Sequence, residues 1–284
     1  MPIQSKLCPF CRGLNSAGER RCYRCGRALP GPLASGLLGF VRNTLGADTA
    51  LTRLFVGLCI AVFALCFASE HRLPMWGAQQ FALSTVLRFG GLVNQLGMAQ
   101  PWRYFSAIFV HFNLLHLGMN CFVLTSVGAV AERELGKARF VLLFLVTGAL
   151  GFVASDLWYA SQHSLFIIPT AGASGAVFGL FGSVIGVAYA RRDPNWKQVL
   201  FQNVIWIVLL SFMGSINNAA HVGGLVVGAL MGFLFNREPR KLNLDRALGV
   251  LATVLVLVSL AGIALSAASP IWRMLRTDEM SRQY

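Results

Sequence analysis

The stretch IIPTAGASGAVFGLFG, residues 167–182, places a small hydroxyl group at the start of a strongly apolar segment. Ser174 lies among glycines and alanines, and no Asp, Glu, Lys or Arg occurs from residue 157 to residue 190. A helix that spans a bilayer needs about 20 mostly apolar residues. The stretch therefore predicts a membrane helix with Ser174 near its beginning. Ser174 then either allows two helices to pack closely or takes part in a reaction.

The composition of the whole chain also indicates a membrane protein. Apolar residues make up 56% of the sequence and charged residues 12%, whereas about a quarter of a soluble domain is charged. The uncharged run 198–236 is too long for one helix and divides at the turn-like sequence GSINN, residues 214–218. We predict an all-α polytopic membrane protein with seven spans, near residues 52–69, 113–131, 139–157, 172–190, 198–213, 219–236 and 247–268.

The positive charge follows the predicted topology. If the N-terminus is cytoplasmic, eighteen of the 24 lysines and arginines fall on the inner side, as the positive-inside rule requires. This bias explains most of the net charge of +13, so nucleic acid is not expected as a partner. No cleavable signal peptide is expected, because the first 30 residues are polar and rich in cysteine.

The N-terminal residues contain two paired cysteine motifs in CPFCRGLNSAGERRCYRC, residues 8–25. Four thiolates at this spacing predict a tetrahedral Zn²⁺ site formed by Cys8, Cys11, Cys22 and Cys25. Two disulfides are the alternative, which a reducing cytoplasm disfavours. So short a segment cannot build a core unaided, and the metal is expected to supply its folding energy. The surrounding arginines either bind acidic lipid, RNA or a protein, or only hold the head inside.

A few strongly polar side chains fall within the predicted spans, where they are costly and usually face a cavity or a partner. The second span opens with HFNLLHLGMN, in which His116 and Asn120 share one helix face. Ser174 opens the fourth span and His221 the sixth, and all three spans enter from the outer side. Four polar side chains are therefore expected at one depth below the outer surface.

Glycines on two of these spans predict close helix packing. The fourth span repeats glycine at intervals of three and four residues, and the sixth at intervals of four. Small residues at this spacing allow helix backbones to approach in lipid. If the two faces meet, the Ser174 hydroxyl reaches His221, and Phe178 lies one turn below it. A single serine in such a span is more often a packing residue, so the prediction rests on the matched depth. The glycines are Gly175, Gly179, Gly182, Gly186, Gly224, Gly228 and Gly232.

This set of residues permits nucleophilic catalysis. A serine hydroxyl needs a base to take its proton, and neutral histidine is the usual base near neutral pH. The backbone N–H of Ser174 and the side chains of His116 and Asn120 are candidate donors for an oxyanion. Nothing in the sequence directs Asp156 toward His221, so a dyad is favoured over a triad. His111 and His163 are interpreted as structural or solvated.

Three separated motifs resemble those of the rhomboid family of intramembrane serine proteases. They are WRYFSAIFVHFNLLHLGMN (102–120), GASGAVFG (172–179) and AHVGGLVVG (220–228), in the family's order. The resemblance covers residues 50–236. It implies a six-helix core with Ser174 as nucleophile, His221 as base, and His116 and Asn120 on the oxyanion side. Phe178 departs from the tyrosine that many members carry. The residues expected to pack the active site are Gly172, Gly175, Phe178, Gly224 and Gly228.

These observations divide the chain into a cytoplasmic zinc-ribbon-like domain (1–30), a linker (31–50), a protease core (51–236), a seventh helix (247–268) and a tail (269–284). The predicted function is a serine endopeptidase that cleaves transmembrane protein substrates in or near their membrane segments. The active site is expected to open to the extracytoplasmic side of a membrane, and this membrane is expected to be the plasma membrane of a prokaryote. The zinc ribbon is a candidate binding surface for a protein partner. The alternatives are a catalytically silent adaptor that binds helices, a transporter, and a membrane anchor for an active zinc head.

Overall fold

The computed structural model consists of two compact units, residues 1–50 and residues 51–284. The described residues are 5–7, 14–16, 19–27, 29, 49–94, 96–162, 167–211, 217–237 and 244–281.

The N-terminal unit contains one antiparallel strand pair. Strand β1 (Ser5–Leu7) pairs with β2 (Leu14–Ser16), with Leu7 opposite Leu14. After β2, residues 23–25 form a turn. Gly26 follows this turn at φ +70°, where its N–H donates to the carbonyl of Cys22 at 2.8 Å.

The second unit is a helical bundle, and each predicted span corresponds to a helix. The helices are α1 (Ala50–Glu70), α5 (Leu114–Val123), α7 (Lys137–Ser161), α8 (Ser174–Ala190), α9 (Trp196–Ser211), α10 (Asn218–Arg237) and α11 (Asp245–Ala268). The second span continues from α5 through one wide π-turn, Leu124–Gly128, into α6 (Ala129–Leu135). The labels α2, α3 and α4 belong to short helices before α5.

Five of these spans are long and apolar enough to cross a membrane, among the residues that the structure describes. The other two helices are shorter. Helix α8 is apolar and has 17 residues, and α9 has 16 residues. The polytopic all-α class is therefore confirmed, whereas seven crossings stay a prediction.

The segment between α1 and α5, residues 71–113, is called the first connection. Its described residues contain three short α-helices, one strand and one 3₁₀ turn, which are α2 (Leu83–Arg88), β3 (Leu92–Val93), α3 (Leu96–Ala99), α4 (Arg103–Ser106) and the 3₁₀ turn Ala107–Phe109. Strand β3 pairs antiparallel with β4 (Pro169–Thr170), directly before α8. The first connection is thus joined by backbone hydrogen bonds to the segment that leads into Ser174.

Aromatic side chains fill the core where α1, α7 and the end of the first connection meet. The Phe55 and Phe144 rings stack at 4.8 Å between centroids. Phe109 meets Phe55 edge-on at 5.8 Å. Such pairs stabilise a core beyond the apolar area they bury, so they fix the first connection against the bundle.

The predicted C-terminal tail, residues 269–284, contains a helix. Residues Ile271–Ser281 form helix α12. Its Trp272 ring lies 4.7 Å from the Arg88 guanidinium carbon. The sequence did not suggest this helix because an 11-residue amphipathic segment is too short for a membrane span. Its contact with α2 joins residues that are far apart in the sequence.

Candidate active site

Helices α8 and α10 approach each other through their glycines. A Cβ built on Gly224 would overlap the carbonyl oxygen of Gly175, and one on Gly228 would overlap that of Gly179. In the opposite direction, a Cβ on Gly182 would overlap the carbonyl oxygen of Leu225. Only glycine permits backbones this close. The expected meeting of the two glycine faces is confirmed.

The same approach brings Ser174 to His221. Ser174 is the first residue of α8, and the distance from its Oγ to Nε2 of His221 is 2.7 Å. His221 lies in the first turn of α10 and is 4% exposed. If the hydroxyl donates to Nε2, the neutral imidazole carries its proton on Nδ1. The Phe178 ring packs on the imidazole at 4.6 Å, so the expected ring contact is confirmed.

Among the described residues, no carboxylate contacts the His221 ring. Its buried Nδ1 has no hydrogen-bond partner among the residues that the structure describes. Asp156 instead accepts a hydrogen bond from the Tyr104 hydroxyl at 2.7 Å. Burial and this hydrogen bond raise the pKa of Tyr104, so Tyr104 stays protonated as the donor. The contact between Ser174 and His221 therefore includes no carboxylate from the described part of the chain.

The backbone before Ser174 is held in an unusual conformation. Gly172 has φ +119°, and its N–H donates to the carbonyl of Ala107 at 2.9 Å. Helix α8 then begins after Ala173 without a side-chain cap. The first N–H groups of a helix have no intrahelical acceptor and favour negative charge. The start of α8 can therefore stabilise an anion beside Ser174.

His116 lies against Gly172. A Cβ on Gly172 would come within 2.7 Å of both Cε1 and Nε2 of His116. The N–H of Phe112 points to Nδ1 of the ring at 3.5 Å, which leaves the proton of the neutral ring on Nε2. Nε2 is therefore a donor that lies against Gly172, which precedes Ser174 by two residues in the chain. The structure brings His116 to the candidate site.

Asn120 lies one turn further along α5 and is 7% exposed. Its amide Nδ2 donates to the carbonyl of His116 at 2.9 Å. An amide nitrogen carries two hydrogens, so this contact leaves one for a second acceptor. The observed contact of Asn120 is with its own helix, and its role toward an oxyanion stays a prediction.

His111 is fully buried, which selects the structural interpretation over the solvated one. Its ring meets that of His116 edge-on at 5.0 Å. Burial and the neighbouring His116 lower the pKa of His111 well below its usual value, so this ring is neutral. His163 lies outside the described residues.

Asn217 is a site residue that sequence reasoning missed. Its side chain donates to Ser155 of α7 and to Thr170 of β4, the latter at 3.1 Å. Its Oδ1 accepts from the N–H of Ala220 at 3.1 Å. Asn217 thus caps α10 and joins three elements around Ser174 and His221. The available signal was an asparagine directly before an apolar helix, which alone predicts a cap and not the two cross-links.

Replacing Asn217 by alanine is expected to lower the apparent free energy of unfolding by about 1–2 kcal/mol, because a helix cap and two cross-links are lost. Thermal unfolding of purified protein in detergent measures this change. Asn195→Ala, at an exposed loop position, is the matched control. Equal unfolding midpoints for the two variants would contradict the bridging role.

The predicted zinc ligands are described only in part. Cys8 and Cys11 lie outside the described residues, in the stretch of sequence between β1 and β2. Cys22 is buried, and its N–H donates to the carbonyl of Arg27 at 2.9 Å, closing the turn that contains Cys25. No cluster of three metal-ligating side chains occurs in the described part of the chain.

Comparison with known proteins identifies the family. A family model of the rhomboid domain matches residues 98–238. Rhomboid protease AarA of Providencia stuartii is 31% identical over 229 residues, which cover 71% of this chain and 78% of AarA. The chain belongs to the rhomboid family.

Other rhomboid relatives share a smaller part of their length. Rhomboid protease GluP of Bacillus subtilis (strain 168) is 33% identical over 183 residues, covering 62% of this chain and 33% of GluP. RHOMBOID-like protein 4 of Arabidopsis thaliana is 33% identical over 196 residues, covering 64% of this chain and 46% of that protein. The chain thus spans a third to a half of these two relatives.

The rhomboid domain match contains all four polar residues of the candidate site. Ser174, His221, His116 and Asn120 fall within residues 98–238. The four N-terminal cysteines and helix α11 fall outside this range. The sequence therefore adds elements on both sides of the matched rhomboid domain.

Proposed function

We propose that this rhomboid protein is an intramembrane serine endopeptidase that uses Ser174 and His221 as a dyad. The observation that carries the proposal is the 2.7 Å contact between Oγ of Ser174 and Nε2 of His221. Two relatives, AarA and GluP, are named rhomboid proteases, which supports the same activity class.

In the proposed reaction, His221 Nε2 takes the proton of Ser174 as Oγ attacks the carbonyl carbon of the scissile peptide bond. The tetrahedral intermediate collapses when the C–N bond breaks and His221 gives its proton to the leaving amine. Water then attacks the acyl-enzyme ester, with His221 as the base again. This second step releases the carboxylic acid and restores the Ser174 hydroxyl.

The oxyanion of the intermediate is stabilised by donors at the start of α8. The backbone N–H of Ser174 and Nε2–H of His116 are the proposed donors, with the second amide hydrogen of Asn120 as a third. Gly172 leaves room for His116, because any Cβ there would meet its Nε2. Loss of one such donor typically lowers kcat by about a hundred- to a thousand-fold.

The length of α8 supports a site sunk below the membrane surface. Its 17 residues extend about 26 Å, less than the bilayer core of about 30 Å. With Arg191 and Arg192 at the cytoplasmic surface, the opposite end of α8 and Ser174 lie below the outer surface. We place the N-terminus in the cytoplasm and the site opening on the extracytoplasmic side, in the plasma membrane of a prokaryote.

The proposed substrates are membrane proteins whose transmembrane helix unwinds locally at the site. A helical backbone hides its carbonyl groups in hydrogen bonds, so small or helix-breaking residues near the cleaved bond lower the cost of unwinding. A stable polyleucine span is therefore expected to be cut more slowly than the same span with Gly or Pro near the cleavage point.

A serine-directed fluorescent phosphonate tests the proposal. Wild-type protein in detergent is expected to form a covalent adduct, because His221 activates the attacking hydroxyl. Ser174→Ala is expected to lose the adduct completely. The matched control is Ser183→Ala on the same helix, where the hydroxyl is buried and donates to the Leu180 carbonyl. In-gel fluorescence measures labelling.

Two results would overturn the proposed activity. Labelling that persists in Ser174→Ala places the nucleophile elsewhere. A wild-type protein that is folded but neither labelled nor able to cleave a membrane substrate favours the silent adaptor.

We also propose that the N-terminal unit holds one structural Zn²⁺ through Cys8, Cys11, Cys22 and Cys25. The ion, when bound, supplies folding energy to a segment too short for its own core. The tight turn after Cys22, with Gly26 in the left-handed region, supports a knuckle of the Cys-x2-Cys type. The head remains a candidate surface for a protein partner.

Zinc content of purified protein tests this second proposal. The wild type is expected to contain about one Zn²⁺ per chain, and Cys8→Ser is expected to lose most of it, because three thiolates bind more weakly than four. Cys121→Ser, in a membrane helix, is the matched control. Equal zinc content in wild type and Cys8→Ser would reject the site.

A further inference from the structure

Helix α11 lies beyond the rhomboid domain match and packs against the first connection. A Cβ on Gly262 of α11 would come 3.0 Å from the carbonyl oxygen of Trp102 and 3.3 Å from Cβ of Ser106. Ser259 and Ser266 are buried on the same side of the helix. The small side chains of α11 therefore allow it to lie directly on residues 102–106.

Two hydrogen bonds join the same surfaces. The indole Nε1 of Trp102 donates to Oγ of Ser266 at 3.2 Å. The amide of Gln100 donates to Oγ of Ser269, the residue after α11, at 3.3 Å. Both bonds connect the end of α11 to one short stretch of the first connection.

Gln100 connects Ser269 to the buried guanidinium group of Arg103. Its Oε1 accepts from Nε of Arg103 at 2.6 Å, and Arg103 also donates to the carbonyls of Leu87 and Gly91. Arg103 is fully buried, and burial lowers its pKa to about 10, so it remains charged at neutral pH. A buried charge is tolerated only with such partners. Ser269 thus orients one of the groups that hold Arg103.

The stretch that α11 contacts leads directly to the candidate active site. Phe105 and Ser106 donate their N–H groups to the Trp102 carbonyl, each at 3.1 Å. The next residue, Ala107, accepts from the N–H of Gly172 at 2.9 Å. Gly172 touches His116 and precedes Ser174 by two residues. A displacement of residues 102–107 therefore moves the backbone at the proposed oxyanion site.

We propose that α11 is a positioning element of the active site, acting through Gly262 and Ser266 on residues 102–107 and so on Gly172. The inference rests on the proposed protease function. Neither residue touches a substrate. Their contacts hold the first connection in the position that orients the start of α8.

The test uses full-length protein with the Gly262→Leu substitution, which forces α11 away from Trp102. The expected result is a fall in kcat of about tenfold or more with KM within twofold, because displaced catalytic groups slow the reaction without removing substrate binding. The control is Gly249→Leu on the same helix, where a Cβ meets nothing within 4 Å. It should match the wild type in kcat.

A double-mutant cycle tests the hydrogen bond itself. Ser266→Ala and Trp102→Phe are each expected to lower kcat about fivefold, since each removes one hydrogen bond. The double variant is expected to be no slower than the slower single variant. If Gly262→Leu unfolds below the assay temperature, this cycle decides the inference.

The outcomes separate the inference from the function on which it rests. A labelled, active wild type with normal kcat in Gly262→Leu, or additive losses in the cycle, overturns the positioning role and leaves the protease intact. A rise in KM alone, with kcat unchanged, also overturns the positioning role. Phosphonate labelling that does not depend on Ser174 overturns the protease function, and the inference fails with it.

Discussion

Replacing His221 by asparagine is expected to lower kcat for peptide hydrolysis by at least about four orders of magnitude. The imidazole Nε2 lies 2.7 Å from Oγ of Ser174, and asparagine has no group that takes up a proton near neutral pH. Removing the histidine of a serine protease typically costs about as much as removing the nucleophile. Cleavage of a reconstituted transmembrane substrate, together with phosphonate labelling, measures the loss.

The control for this variant is His71→Asn. His71 lies in the first connection, is exposed, and has φ +53°, a conformation that asparagine adopts readily. Its kcat should equal that of the wild type. Should His221→Asn retain more than about a hundredth of the wild-type rate, a different group would have to serve as the base.

Replacing Gly228 by leucine is expected to damage both the fold and the activity. A Cβ at this position would overlap the carbonyl oxygen of Gly179. Because the nearest atoms of Gly179 all belong to the backbone, no side-chain movement can relieve the overlap. Overpacking in a close-packed interior costs about 1–3 kcal/mol and sometimes more. We expect a loss near the upper end of this range. Because the same interface joins Ser174 to His221, kcat should fall about a hundredfold or more.

Thermal unfolding and substrate cleavage measure the two effects. Gly57→Leu is the matched control, because Gly57 is exposed on α1 and a Cβ there meets nothing within 4 Å. An unchanged unfolding midpoint for Gly228→Leu would mean that α8 and α10 do not pack through their glycines in the membrane.

The membrane helices were largely predictable from the sequence. The predicted span 172–190 became Ser174–Ala190, and 139–157 became Lys137–Ser161. Charge-free runs mark spans reliably because a charged side chain at the centre of a bilayer is costly. The same signal is weaker for short helices. Two of the seven helices are shorter than a span over the residues that the structure describes.

The contact between Ser174 and His221 could also be predicted from the sequence. Equal depth in the membrane and repeated glycines on both helices limited how α8 and α10 can pack. Asn217 was not predicted as a bridge, because its partners Ser155 and Thr170 are far away in the chain. Hydrogen bonds between such distant residues have no periodic signal.

The sequence by itself determined the membrane class, the helices and the residue types available for catalysis, because hydropathy and charge act locally along the chain. Only the tertiary structure decided which polar groups pair. It directs Asp156 to Tyr104 and leaves the His221 ring without a carboxylate among the described residues. It also lays α11 on Trp102. These choices depend on close packing between distant segments, which hydropathy does not specify.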